Sequence, residues 1–261
     1  MRLTKSIFKF IKRKVNRRFE KLEQKFARYQ GKGFVEDDPS NEVALVRQLI
    51  GSRLRLGVDV GGNRGDYSAA LRRLSADMEI HIFEPSVTNI HKLTERFGSD
   101  KKISVIPKAL SDSEGSATLH SDVPGSGLGS LIKRRLDHFN IGFEVRESIE
   151  TVRFENYWKT QLNSRPLDLI KLDIEGHELK ALDGMGEALR FTKAVQFEFG
   201  GCNIDTRTFF QDFWYFFTDQ SFAIYRMSPF GLVNIERYSE IQEFFSTTNY
   251  LCLNRNWPGS E

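Results

Sequence analysis

The sequence is short of cysteine: Cys202 and Cys252 are its only two, and they lie far apart. There is no disulfide framework, no C-x-x-C pair and no clustered zinc spacing. Such usage is expected of a reducing compartment, so a cytoplasmic location is anticipated. No apolar run approaches the ~18 residues that would span a bilayer. The basic N-terminus does not read as a signal peptide, because Lys9, Lys12, Arg13 and Lys14 break up its apolar residues. Internal repeats and long low-complexity tracts are absent as well. Neither common phosphate loop occurs, G-x-x-x-x-G-K-[ST] or G-x-G-x-x-G. The second absence weakens a nicotinamide oxidoreductase.

Charge is unevenly spread. Residues 1–30 hold eleven Lys or Arg against two Glu, a net +9, so with the whole chain at +3 the other 231 residues carry −6. The body is mildly acidic, which disfavours a nucleic-acid partner. Within the basic segment, Ile7, Ile11, Val15, Phe19, Leu22, Phe26 and Tyr29 recur at spacings of three and four, with Phe8 and Phe10 widening the stripe. That predicts an amphipathic helix. Three uses stay open: an anionic membrane surface, a second helix, or its own domain. Lipid would place the protein at the inner face of the membrane. Gly31 and Gly33 end the helix, and Glu36–Ser40 reads as a linker and turn. Two regions follow: residues 1–35 as the N-terminal helix and 36–261 as the main domain.

The main domain has the length to bury one core. A helix carrying Val43, Leu45, Val46, Leu49 and Ile50 opens it and stops at Gly51. Strand and helix then alternate. Strands are expected at Leu56–Val60, Glu79–Phe83, Ile103–Ile106, Leu167–Leu172, Ala194–Phe199, Phe222–Met227 and Tyr250–Asn254. Helices are expected at Asp66–Leu74, Val87–Phe97, from His177 to Leu182, and over Thr208–Phe217. Repeated βα units argue for a doubly wound sheet. Between residues 111 and 160 the alternation breaks, leaving a turn with a short strand at Glu114–Leu119 and a flexible loop at Pro124–Ser130.

Ligands of such sheets sit beyond the carboxyl ends of the strands. After the first strand comes Asp59-Val60-Gly61-Gly62-Asn63-Arg64-Gly65, then Tyr67-Ser68. A glycine turn there brings backbone close to a ligand at a helix N-terminus. After the second comes Phe83-Glu84-Pro85, where a carboxylate can accept two ribose hydroxyls. After the third comes Ala109-Leu110-Ser111-Asp112, with Asp112 able to reach an adenine amine or to serve a plain turn. After the fourth comes Lys171-Leu172-Asp173-Ile174-Glu175-Gly176-His177-Glu178.

These four ordered motifs, over about residues 55–200, resemble the FkbM family of S-adenosylmethionine (SAM) dependent O-methyltransferases. The family's Ser-Ser-Leu loop corresponds to Gly129-Ser130-Leu131, with one serine replaced. The resemblance implies an α/β, Rossmann-like class I SAM-methyltransferase fold: a mostly parallel seven-stranded sheet, helices on both faces, and a hairpin-like finish with one antiparallel edge strand. It implies SAM as cofactor, held by Asp59, Gly61, Gly62, Asn63, Gly65, Tyr67, Glu84, Pro85, Ala109, Leu110, Asp112 and Asp173. It also implies a hydroxyl acceptor, on a sugar of a glycan or glycolipid or on a small natural product, as in polysaccharide modification.

Asp173, Glu175 and His177 alternate and would share one face if the strand continued, with Glu198 ending the next strand. These four are the candidate catalytic residues. A hydroxyl needs a base or an orienting carboxylate to attack a sulfonium methyl, and His177 is the favoured base because imidazole accepts a proton near neutrality. The group permits a magnesium or transition-metal site without demanding one, and no metal ligand is assigned. Two rivals remain: a nucleic-acid methyltransferase, disfavoured because Asp173-Ile174-Glu175-Gly176 stands where amine-directed enzymes show N/D-P-P-Y, and a non-catalytic, membrane-associated protein with a degenerate SAM fold.

Overall fold

The computed structural model describes residues 2–34 and 38–258, with the side chains of the first helix described from residue 14 onward. Helix α1 runs over Arg2–Tyr29. Its end is pinned to the body: Arg226 Nε donates to the Gln30 carbonyl at 2.7 Å, and the Gly33 N–H to Thr248 Oγ1 at 3.1 Å. Gly31 sits at φ +88°, where a Cβ would stand 2.1 Å from the Met227 carbonyl oxygen. The expected linker lies partly outside the described residues, at Glu36 and Asp37. Ile7, Phe8, Phe10 and Ile11 also fall where side chains are not described.

The body opens with helix α2 (Ser40–Ile50). Then come β1 (Leu56–Val60), α3 (Asp66–Leu74), β2 (Glu79–Phe83), α4 (Val87–Phe97) and β3 (Ile103–Ile106). A small excursion follows: β4 (Ala109–Leu110), β5 (Gly115–Ser121), β6 (Val145–Val152) and α5 (Phe154–Thr160). The chain returns through β7 (Leu167–Leu172), α6 (Glu178–Asp183), β8 (Thr192–Phe199), α7 (Cys202–Thr206) and α8 (Phe210–Thr218). It closes with β9 (Phe222–Ser228), β10 (Gly231–Asn234) and β11 (Thr248–Asn254).

The main sheet has the order β10-β9-β11-β8-β7-β1-β2-β3, and β4-β6-β5 form a separate three-stranded sheet. Strands β1, β2, β3, β7 and β8 are parallel. The chain winds outward from β1 to β3, then returns to β7 on the other side of β1, which makes the β1–β7 boundary the topological switch point.

Two expectations are corrected. The main sheet has eight strands rather than seven, because β10 folds back on β9 as an added edge. The reversed strand β11 is not at the edge: it is inserted between β8 and β9, antiparallel to both.

Side chains alternate across the sheet. Leu56, Val58 and Val60 of β1 join one core cluster with Phe154, Trp158, Leu182 and Phe213, contributed by α5, α6 and α8. Ile80, Ile82 and Leu169 join the other with Val46, Leu71 and Leu93, contributed by α2, α3 and α4. Helices thus cover both faces, and the parallel centre reads as buried runs on each strand.

Candidate active site at the carboxyl ends of the central strands

Register builds the site. Val60 lies opposite Phe83 on one side and Leu172 on the other, and Leu172 lies opposite Phe197. Gly61, Glu84, Asp173 and Glu198 therefore emerge at about one level from four neighbouring strands. They line a cavity of about 270 Å³, together with Gly62, Asn63, Tyr67, Pro85, Ala109, Leu110 and His177. Asp59, Gly65, Asp112 and Glu175 do not line it.

The β1–α3 turn is held mainly by the end of β2. The Gly61 and Gly62 N–H groups donate to the Phe83 carbonyl, at 2.9 and 3.2 Å, and Gly65 N–H donates to Gly62 at 2.7 Å. Asn63, at φ +45°, donates its N–H to Glu84 Oε2 at 2.8 Å. So the N–H groups expected to face a ligand are in large part committed inside the protein. Gly61 answers to packing: at φ +80°, a Cβ would stand 2.0 Å from the Asp173 carbonyl oxygen. Gly65 packs on Leu93 and Phe97.

Glu84 is the buried carboxylate of this end. Its Oε1 accepts the Ser86 N–H at 2.9 Å. Burial pushes its carboxyl up to about 7, against the pull of the Ser86 and Asn63 N–H groups. Each oxygen has one backbone donor and the Asn89 side chain adds a further hydrogen bond, so the carboxylate keeps part of its acceptor capacity for ligand hydroxyls. Asn63 Oδ1 is buried beside it without a hydrogen-bond partner. A ribose diol fits this arrangement.

Lys171 supplies the cation at the switch point. Its Nζ lies 3.0 Å from Asp173 Oδ2 and 3.9 Å from Asp59 Oδ1, and 4.9 Å from the centre of the Tyr67 ring. Burial works against its charge, but Asp173, Asp59 and Glu42 hold its pKa above the ordinary lysine value. Asp59 is buried beneath the turn, where Ser68 Oγ donates to it at 2.6 Å. Tyr67 donates to Gln196 at 2.6 Å, and Gln196 donates to Glu42 at 2.6 Å. Lys171 opens the fourth sequence motif, where it had no assigned role; Glu42 and Gln196 carried no signal beyond their place in a helix or strand.

Strand β7 does not continue past Leu172, which corrects the expectation of a shared face. Glu175 at φ +53° and Gly176 at +99° turn the chain. Asp173 and His177 stay in the cavity while Glu175 points to Arg134, whose guanidinium lies 2.5 Å from Glu175 and 3.3 Å from Asp205. Burial, then the Asp173 charge, raise the Glu175 pKa against Arg134. Burial and the charges of Asp173, Glu175 and Glu178 push Glu198 well above the usual carboxylate range. Glu178 caps the turn, accepting the Ile174 and Gly176 N–H groups at 2.9 and 3.2 Å. Burial lowers His177 to about 4, so its ring is neutral at pH 7, and its Nε2 lies 3.0 Å from Ser111 Oγ.

Asp112 sits outside the cavity and accepts the Ser111 and Ser113 hydroxyls at 3.0 and 3.1 Å, a local turn arrangement. The wall at that place is built instead by Leu119, Ser121, Gly125–Gly127, Gly129 and Leu131. Ser130 Oγ, the retained serine of the expected loop, donates to the Glu175 carbonyl at 2.8 Å. Among the described residues, donor atoms of Glu175, Glu198 and Cys202 lie within 4.8 Å of one another, a set able to hold a divalent ion. No helix among those residues is long and apolar enough to cross a membrane.

A family model described as the methyltransferase FkbM domain matches residues 59–225. The chain is similar to the 2-O-methyltransferase NoeI of Sinorhizobium fredii (strain NBRC 101917 / NGR234), 24% identical over 173 residues, covering 62% of this chain and 71% of that protein. An rRNA methylase structure from Streptococcus thermophilus is 10% identical with TM-score 0.45, covering 85% of this chain and 98% of the other. A precorrin-6y C5,15-methyltransferase structure from Geobacter metallireducens GS-15 is 9% identical with TM-score 0.42, covering 82% and 86%.

Proposed function

The chain belongs to the FkbM methyltransferase family, and from that premise we propose that it transfers a methyl group from SAM to a hydroxyl oxygen, on a sugar of a glycan or glycolipid. The observation that carries this reading is the row Glu84, Asp173, Glu198 with His177, brought into one cavity at the switch point. The name of the NoeI relative, a 2-O-methyltransferase, supports oxygen as the acceptor. The buried free thiols of Cys202 and Cys252 suit a reducing cytoplasm.

Bound SAM would supply an electrophilic methyl carbon on a cationic sulfonium. Glu84 would accept its ribose hydroxyls, with the Asn63 and Ser86 N–H groups fixing the carboxylate. Asp173, in the cavity beside Lys171, would offer a carboxylate to the cationic end. Glu198, whose carboxyl is pushed toward the protonated form by burial and its acidic neighbours, would orient the acceptor hydroxyl through its carbonyl oxygen. His177 would be the acceptor for the hydroxyl proton: its ring is neutral and so holds a free lone pair, but the burial that lowers it to about 4 makes it a weaker base than the near-neutral imidazole expected from the sequence. Alignment of the two reactants supplies much of the acceleration.

The test is transfer of labelled methyl from SAM to a panel of saccharides, glycolipids and amines, with the product bond identified by NMR. A new methyl ether is expected. Turnover of amines with every hydroxyl acceptor inert would overturn the reading.

A further inference from the structure

We infer that helix α1 and the β9–β10 turn together form one surface that lies on an anionic lipid membrane. Along the described part of α1, Val15, Phe19, Leu22, Phe26 and Tyr29 are exposed, from 42% at Val15 to 65% at Phe19. The stripe does not end with the helix. The Tyr29 ring meets that of Phe230 with centroids 5.7 Å apart, and Phe230, in the β9–β10 turn, is 78% exposed. An apolar strip thus passes from the helix onto the body, across a junction held by Arg226, Gly31 and Gly33.

Charge identifies what covers it. Residues 14–29 carry Lys14, Arg17, Arg18, Lys21, Lys25 and Arg28 against Glu20 and Glu23. Cations flanking an aromatic stripe suit anionic headgroups above acyl chains. The four-three spacing also fits a helix pair, but two copies of a +9 segment repel each other, and a helix–helix seam would leave Phe230 bare. Strand β9 runs in the direction of β8, since β11 is antiparallel to both. Phe230 therefore lies at the same end of the sheet as the cavity, the carboxyl end of the parallel strands, so a lipid-bound molecule presents that end toward the membrane. The inference does not depend on the acceptor proposed above.

The experiment is co-sedimentation of the full chain with phosphatidylcholine vesicles, with and without phosphatidylglycerol, over a range of salt. Binding is expected only with phosphatidylglycerol and weakens as salt rises. The double variant Phe19→Glu/Phe26→Glu should lower the partition coefficient about tenfold or more, and Phe230→Ser by about threefold. An unchanged unfolding midpoint shows that each variant keeps its fold. Equal binding to both vesicle types, or none at low salt, overturns the inference. So does wild-type partitioning by Phe230→Ser. A dimer that Phe19→Glu/Phe26→Glu converts to monomer, with no vesicle binding, assigns the stripe to a second copy instead.

Discussion

A carboxylate that serves ligand hydroxyls does so best while ionised. Glu84, raised to about 7, changes charge within the working pH range. Below that pH one of its oxygens carries a proton and accepts less well. Calorimetry should therefore show S-adenosylhomocysteine binding more tightly at pH 8 than at pH 6, with proton release on binding. Glu84→Gln should weaken binding by about 1–3 kcal/mol and flatten that dependence, and NAD should not bind. His177 is tested by turnover. His177→Ala should lower it by about 10²–10⁴-fold and leave SAM affinity nearly unchanged. If the loss appears instead in Glu198→Gln or Asp173→Asn, the base is a carboxylate. Rescue of a chelator-treated enzyme by a divalent ion would read Glu175, Glu198 and Cys202 as metal ligands.

At the scale of elements, the β1–α3 turn and the β7–α6 turn are one joint. Gly61→Ala should destabilise the protein by about 1–3 kcal/mol in chemical denaturation, through its positive φ and the contact with the Asp173 carbonyl. Arg134→Ala removes the cation shared by Glu175 and Asp205 and should cost about 1–3 kcal/mol, because Glu175, already raised, can take up a proton instead, with Arg134→Lys recovering part. The central strands were legible because each is a short apolar run closed by glycine, proline or a helix start. The small sheet was largely not. In β6, Arg146, Glu147, Ser148, Glu150 and Thr151 surround Ile149, the strand's one fully buried apolar residue, so its pattern reads as loop. Strand β10 has four residues and no buried face. The pairing of Arg134 with Glu175, forty-one positions apart, has no local signal, and neither does the turn that takes Glu175 off the row of Asp173 and His177.

For the molecule as a whole, buried titratable groups set a pH dependence of stability. Glu84 and Glu178 are both raised to about 7. The native state keeps their protons where the unfolded chain has lost them, so their contribution falls as pH rises from about 4.5 to 7. His177, lowered to about 4, acts oppositely: its contribution is lost as pH falls from about 6.5 to 4. The unfolding midpoint of the ligand-free protein should therefore decline between pH 5 and 8 in scanning calorimetry, and saturating S-adenosylhomocysteine should reduce that decline. The two walls of the cavity also differ in how they can change over time. The Gly61–Asp173 approach ties backbone to backbone, so neither turn can be rewritten without the other. The wall from Leu119 to Leu131 meets the β7–α6 turn through side chains, Ser130 and the neighbouring Arg134, on Glu175. An engineer, or a diverging lineage, could exchange that segment for another and alter what the cavity admits, provided the replacement supplies a donor to the Glu175 carbonyl and leaves Arg134 within reach of the Glu175 carboxyl.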